Sequence, residues 1–182
     1  MREFRLVRVL EWKIYRPDLV IVAVFSLNHP RAAMATGANL NSIVNELDAF
    51  HDAAKQAFLA RDLDAYRDLF TVDLRYTQPN GKTITRSQLV RDVGKQLRTF
   101  KTVDSQKKRK SVVVNDDGTV TQIVSQSATY SVSVFLFFTK SWTIERQGKY
   151  TFRKTDTGWK VCNVEVLTED VESGARTPPD EK

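Results

Sequence analysis

The chain of 182 residues contains one cysteine, Cys162, and two histidines, His29 and His51. A single thiol excludes an internal disulfide and a multi-cysteine zinc site, and two imidazoles leave little for a histidine-rich centre. Neither a metal nor a cofactor is therefore expected. No proline occurs between Pro79 and Pro178, which leaves that span open to long hydrogen-bonded ladders. The apolar run Leu19 to Leu27 counts nine residues, against the roughly 20 that a membrane-spanning helix needs, so no membrane partner is expected. Glycine-rich phosphate loops, a G-x-S-x-G elbow and a Cys–His nucleophile arrangement are all missing.

What is present is 41% hydrophobic and 27% charged, enough apolar material for a core and too polar for a membrane bundle or a disordered chain. The length fits one soluble domain with appendages. Of the net charge of +6, half lies in residues 1–33, where Arg2, Arg5, Arg8, Lys13, Arg16 and Arg31 outnumber Glu3, Glu11 and Asp18. The rest is too dilute for a polyanion-binding surface. The run Lys107-Lys108-Arg109-Lys110 could meet an acidic partner, but beside a strand edge such charges keep the edge soluble, and no aromatic ladder accompanies them. Nucleic acid is not an expected partner.

The two ends differ from the middle. Residues 1–38 combine basic residues, the apolar run and Ala33-Met34-Ala35, which resembles a cleavage site; export is one reading. The other readings are an extension outside the domain, with Met34 as an alternative first residue, or an ordered strand. A cytoplasmic location is expected unless residues 1–35 are a signal. Residues 171–182, with Gly174, Pro178 and Pro179, lack periodicity and are expected to be a mobile tail. The domain is placed at 39–170.

Within it, Leu40, Ile43, Val44, Leu47, Phe50, Ala54, Ala57 and Phe58 recur at three and four residues and predict an amphipathic helix over 39–60. Asp62 can cap a short helix through Phe70, and Thr85 with Gln88 forms a capping box for a third helix carrying Leu89, Val93 and Leu97. Leu74 to Thr77 reads as a strand before the turn Pro79-Asn80-Gly81. Beyond Phe100, β-branched and aromatic residues dominate. Turns at Asn115-Asp116-Asp117-Gly118 and Asp156-Thr157-Gly158 divide them into strands at 112–114, 119–123, 129–138, 141–154 and 159–168. The fold class is α+β: three helices packed on a strongly curved, mainly antiparallel sheet, with a cavity at the open end.

The segment from Phe50 to Val90, with Arg61-Asp62-Leu63-Asp64-Ala65-Tyr66, Leu69-Phe70, Tyr76-Thr77-Gln78-Pro79-Asn80-Gly81 and Ser87-Gln88-Leu89, and the closing Gly158-Trp159-Lys160-Val161, resembles the NTF2-like superfamily. Its SnoaL-like and DUF4440 branches are the most similar. The resemblance covers residues 42–168 and implies a cystatin-like cone. It does not imply one activity, because the fold carries isomerases, dehydratases, hydrolases and binding modules. The ketosteroid isomerase pattern implies a carboxylate base before the turn and a tyrosine on the first helix; those positions here are Gln78 and Ala54, which cannot do that chemistry. The two histidines of scytalone dehydratase-like chemistry are not available, and no Asp-Arg-Asp match to the epoxide hydrolase pattern is found.

The individual candidates remain. His51 falls inside the apolar stripe of the first helix, where it is either a proton shuttle or a packed, hydrogen-bonded core residue. On the last strand, two-residue alternation puts Trp159, Val161, Asn163 and Glu165 on one face. Asn163 and Glu165 are then pocket groups, or simply the exposed end of the sheet. Phe58, Tyr76, Tyr130, Trp142 and Tyr150 could wall a cavity for a flat apolar molecule, or could be core. Phe135, Leu136, Phe137 and Phe138 are consecutive and must be covered on both faces, which predicts a homodimer contact or an apolar lid. The expected function is binding of a small apolar or aromatic molecule in the cone. The alternatives are a lyase, isomerase or hydrolase using His51 as acid/base with Glu165 or Gln78 orienting it, and a homodimeric assembly module.

Overall fold

A computed structural model of the chain describes residues 37–100, 102–133 and 139–177. Helix α1 (Gly37–Leu59) buries Leu47, His51, Ala54 and Phe58 on one stripe, as the periodicity requires. It ends without a glycine. Arg61 takes the left-handed conformation at φ 57°, with Arg61 N–H donating to Phe58 O at 3.0 Å and Asp62 N–H to Ala57 O at 2.9 Å. An arginine there costs roughly 1 kcal/mol relative to a glycine, and its guanidinium donates to Phe100 O at 3.0 Å. Helix α2 (Leu63–Asp68) is capped by the Asp62 carboxylate, which accepts from Asp64 N–H and Ala65 N–H. Helix α3 (Arg86–Thr99) carries the anticipated capping box of Thr85 and Gln88.

Six strands form one sheet: β1 (Phe70–Thr77), β2 (Thr83–Thr85), β3 (Thr102–Val114), β4 (Val120–Ser133), β5 (Thr139–Thr155) and β6 (Gly158–Thr177). Their order is β2-β1-β6-β5-β4-β3. Every neighbouring pair is antiparallel except β1 with β6. Register shifts interrupt β1/β6, β3/β4 and β5/β6. Each such bulge bends and twists its strand, so the long sheet curves around the helices. The core under it includes Leu47, Phe58, Leu89, Val93, Val120, Val124, Phe152 and Val164.

Two expectations change. The stretch read as a mobile tail from 171 onward continues β6 to Thr177, because β5 reaches back to Thr139 and supplies its partner, with Trp142 opposite Ser173 and Thr139 opposite Thr177. The basic run does lie on an edge strand of the sheet, but not all of it is solvated. It lies within β3, where alternation buries Lys107 and partly buries Arg109 while Lys108 and Lys110 face out. The proposed interface residues Phe135, Leu136, Phe137 and Phe138 lie outside the described residues, as do residues 1–36. Among the described residues, no helix is long and apolar enough to cross a membrane.

The capping box gives a direct test of the local code. Thr85→Ala should lower unfolding stability by about 1 kcal/mol through loss of the helix-end bond from Gln88 N–H to Thr85 Oγ1, read as a lower urea midpoint at unchanged slope; an unmoved midpoint would show that tertiary packing alone holds α3.

Candidate functional site

Strand alternation decides what enters the concave face. On β4 it sends Val120, Gln122, Val124, Gln126, Ala128 and Tyr130 inward, and on β5 Ile144, Arg146, Gly148, Tyr150 and Phe152. Pairing then aligns a polar row across four strands: Lys107 is opposite Gln126, Gln126 opposite Arg146, and Arg146 opposite Glu169. Lys107, Gln126 and Arg146 are buried, and Glu169 is partly so.

Arg146 is the hub of this row. Its Nε and Nη2 donate to Gln126 Oε1 at 3.1 and 2.7 Å, its Nη1 to Tyr76 Oη at 2.8 Å, and its Nη2 to Tyr150 Oη at 3.0 Å. Tyr150 Oη also donates to Gln126 Oε1 at 3.2 Å. Gly148 makes this possible. It stands between Arg146 and Tyr150 on the inner face, and a Cβ there would meet the Tyr150 ring at 2.8 Å, so only a bare backbone lets the ring lie along the strand. Burial pushes the Tyr76 hydroxyl up to about 12, and burial likewise raises those of Tyr66 and Tyr130. All three stay protonated donors at neutral pH. Burial also lifts the Glu169 carboxyl, against the pull of Arg146.

His51 descends from α1 onto the same face. Its ring lies edge-on to Phe50 and Phe152. Nε2 is 3.0 Å from Gln122 Oε1 and Nδ1 is 2.7 Å from Lys107 Nζ, which also lies against Nε2. With Gln122 Oε1 accepting, Nε2 carries the hydrogen and Nδ1 accepts from Lys107. Lys107 Nζ sits 5.7 Å from the centre of the Tyr150 ring. One turn before His51, Asp48 is held by Arg109. Burial first, then the charge of Lys107, hold the His51 imidazolium well below the ordinary range. Burial and Arg109 do the same to the Lys107 ammonium. Both are therefore disposed to be neutral.

Beneath this cluster is a cavity of about 30 Å³ whose walls include Phe50, His51, Tyr66, Tyr76, Arg146 and Phe152. On its wall Tyr66 Oη, and elsewhere on the inner face Tyr130 Oη, Gln122 Nε2 and Gln126 Nε2, are buried without a hydrogen-bond partner among the described residues. Each is a donor, and each such group costs about 1–3 kcal/mol.

The residues named from sequence divide. His51 and Tyr76 line the cavity. Tyr130 is buried beyond it, its ring 4.6 Å from that of Phe100, and Trp142 pairs with it across β4 and β5 under Lys140. Phe58 is core, edge-on to Tyr66. Gln78 is buried at its turn, its backbone N–H donating to Lys82 O. Asn163 and Glu165 leave the inner face. Phe70 and Phe152 pair with Val161, whereas Arg75 and Thr151 pair with Asn163; the extra residue, Cys162, reverses the alternation. Glu165 is exposed, 3.9 Å from Lys149, and neither it nor Gln78 orients His51. Lys107, Arg146, Gln122 and Gln126 were not anticipated.

No protein-family model and no curated sequence matches the chain. Solved structures do. A conserved protein from Planctomyces limnophilus is 9% identical, with 69% of this chain and 98% of that one covered and a TM-score of 0.59. A candidate scytalone dehydratase from Novosphingobium aromaticivorans is 12% identical over 81% and 94%, with a TM-score of 0.62. A ketosteroid isomerase-like protein from Erwinia carotovora atroseptica is 17% identical over 74% and 98%, with a TM-score of 0.53. At these identities the likeness is one of fold. The chain has the NTF2-like, cystatin-like architecture that its motifs implied.

Because His51 binds a proton less readily folded than unfolded, stability rises with pH across the window from its depressed folded value to the ordinary 6.5. Wild-type unfolding free energy should therefore fall by up to ~1.4 kcal/mol per pH unit below about pH 6 more steeply than that of His51→Asn. Parallel pH profiles in denaturant titrations would refute a buried neutral imidazole.

Proposed function

We propose that the cone binds a small aromatic molecule carrying an acceptor oxygen, such as a carbonyl, carboxylate or phenolate. The observation that carries this reading is the set of buried donors on the concave face: Tyr66, which shares the cavity wall with Arg146, and Tyr130, Gln122 and Gln126 each hold an atom able to donate and without a partner among the described residues. Acceptor oxygens are what such a lining lacks, and binding them removes a cost that folding alone leaves in place. Phe50, Tyr66, Phe70 and Phe152 supply apolar walls, which supports the aromatic part of the ligand. A purely apolar ligand would leave every donor as it is. The cavity of about 30 Å³ matches one water's share of the liquid, so entry requires side chains such as Phe50 to shift, and association is correspondingly slow.

With 4-hydroxybenzoate at 100 times its Kd, linkage gives about 2.7 kcal/mol of stabilisation, a rise of roughly 8 °C in melting temperature. Toluene should give no comparable rise, and Arg146→Met should abolish the benzoate effect. Equal stabilisation by toluene, or none by any acceptor-bearing aromatic, would overturn the reading.

A second reading, pairing of two copies through the helix-free sheet face, is favoured by a separate observation. That face holds a trough of about 770 Å³ with Lys108 and Lys110 at its β3 side and Glu145 and Asp170 toward β5 and β6. A two-fold axis between these sides sets each basic edge on the partner's acidic strand. Light scattering at low salt should give twice the monomer mass, shifting toward the monomer in Lys108→Glu/Lys110→Glu; monomer mass in both would remove this reading.

A further inference from the structure

We infer that the open edge of β3 at residues 111–115 is a self-pairing surface, through which two copies of the chain join their sheets about a two-fold axis. The inference goes beyond the ligand-binding reading and uses neither the cone nor the trough. β3 is the last strand in the order of the sheet and pairs with β4; among the described residues no strand pairs with its other side. Such an edge offers a row of amides and carbonyls to a further strand, and proteins ordinarily guard it with charge or a bulge. Here the guard covers one half. The bulge between Arg109 and Ser111 and the exposed Lys108 and Lys110 protect the first part of the strand. Its end is Ser111-Val112-Val113-Val114, uncharged and mostly β-branched, with Val113 54% and Val114 47% exposed.

The hairpin fixes which backbone groups face outward. Asn115 N–H donates to Thr119 O at 2.8 Å, and hydrogen-bonded pairs in an antiparallel ladder recur at every second residue. Val113, opposite Thr121, therefore also turns its backbone groups to β4, and those of Val112 and Val114 point to the open edge. A two-fold axis beside Val113 sets Val112 of each copy opposite Val114 of the other, for about four backbone hydrogen bonds. The faces agree. Val112 and Val114 lie opposite the buried Gln122 and Val120, so they meet across the axis on the inner face. The two Val113 side chains meet on the helix-free face, at the closer spacing of a non-hydrogen-bonded pair.

The flanking charges select the second copy as the occupant. The same register carries Lys110 of each copy to Asp116 of the other, both exposed. Asp117 is committed to its own turn, where its carboxylate accepts from Thr119 N–H and Oγ1. A cation before the valines and an anion after them are complementary to the same segment running antiparallel, whereas a parallel neighbour would set Lys110 beside Lys110. The opposite edge of the sheet is β2, only three residues long (Thr83–Thr85). So short an edge does not propagate pairing, and assembly closes at two copies. The contact is small, which makes the pair weak and concentration-dependent.

Sedimentation velocity on the full chain at low salt, from micromolar toward millimolar concentration, should show the weight-average mass rising from 20.8 kDa toward twice that value. Over the same range amide exchange should slow at Val112 and Val114 and stay unchanged at Val113, whose N–H faces β4. Val112→Pro removes one outward N–H at a position where an edge strand tolerates proline, and it should weaken pairing at least about tenfold. If circular dichroism shows that this variant loses its fold, the exposed charges decide. Lys110→Glu and Asp116→Lys should each weaken pairing alone, and an equimolar mixture should restore it, because the mixed pair again opposes unlike charges at both ends. A chain that stays at 20.8 kDa throughout overturns the inference. So does a pair that Lys108→Glu dissolves while Val112→Pro and Asp116→Lys leave it intact; the copies then meet through the trough, and the second reading stands without this one.

Discussion

Arg146 sits in the concave face with 4% of its surface exposed, and removing such a cation from water costs several kcal/mol unless neighbouring groups replace its hydration. The arrangement around it follows from that constraint. Gln126 and Tyr150 must present oxygens from β4 and β5, Tyr76 must reach in from β1, and Gly148 must stay bare so that Tyr150 can fold back along its own strand. The register that brings β4, β5 and β6 together is the same register that puts Gln126 and Glu169 on either side of the guanidinium. The hub therefore couples the pairing of the sheet to the chemistry of its interior.

That interior is lopsided. Gln126 Oε1 already accepts from Arg146 and Tyr150, and Gln122 Oε1 accepts from His51, while amide and phenol hydrogens on the same residues and on Tyr66 and Tyr130 lack acceptors among the described residues. A fold selected only for stability gains by replacing such groups with apolar side chains of similar volume. Their placement at the centre of a curved sheet is what motivates the proposed binding role of that face.

Much of this architecture was legible in advance, and the exceptions have particular causes. The helices announce themselves through the spacing of Leu47, Ala54 and Phe58 and through the caps at Asp62 and Thr85, since both signals are local. The inner polar row was also written in the chain: Gln122 and Gln126 interrupt the parity of Val120, Val124, Ala128 and Tyr130, and Arg146 interrupts that of Ile144, Tyr150 and Phe152. A polar residue on an apolar parity is a readable sign of a buried site. Asn163 and Glu165 were misplaced because the bulge at Cys162 carries no glycine or other local marker, and one extra residue turns every later side chain over. Lys107 was hidden by its neighbours. In an unbroken basic run alternation has no contrast to show, and only pairing with β4 reveals which charge points inward.

The central claim, that the donor-rich concave face receives an acceptor oxygen, is tested most directly by a crystal structure of the chain with 4-hydroxybenzaldehyde. The account predicts the ring against the Phe50 and Phe152 walls of the cavity and an oxygen within hydrogen-bonding distance of Arg146 or of the Tyr66, Tyr130 and Gln126 donors. A molecule seated only in the trough on the helix-free face, or a cone unchanged at saturating aldehyde, would contradict it.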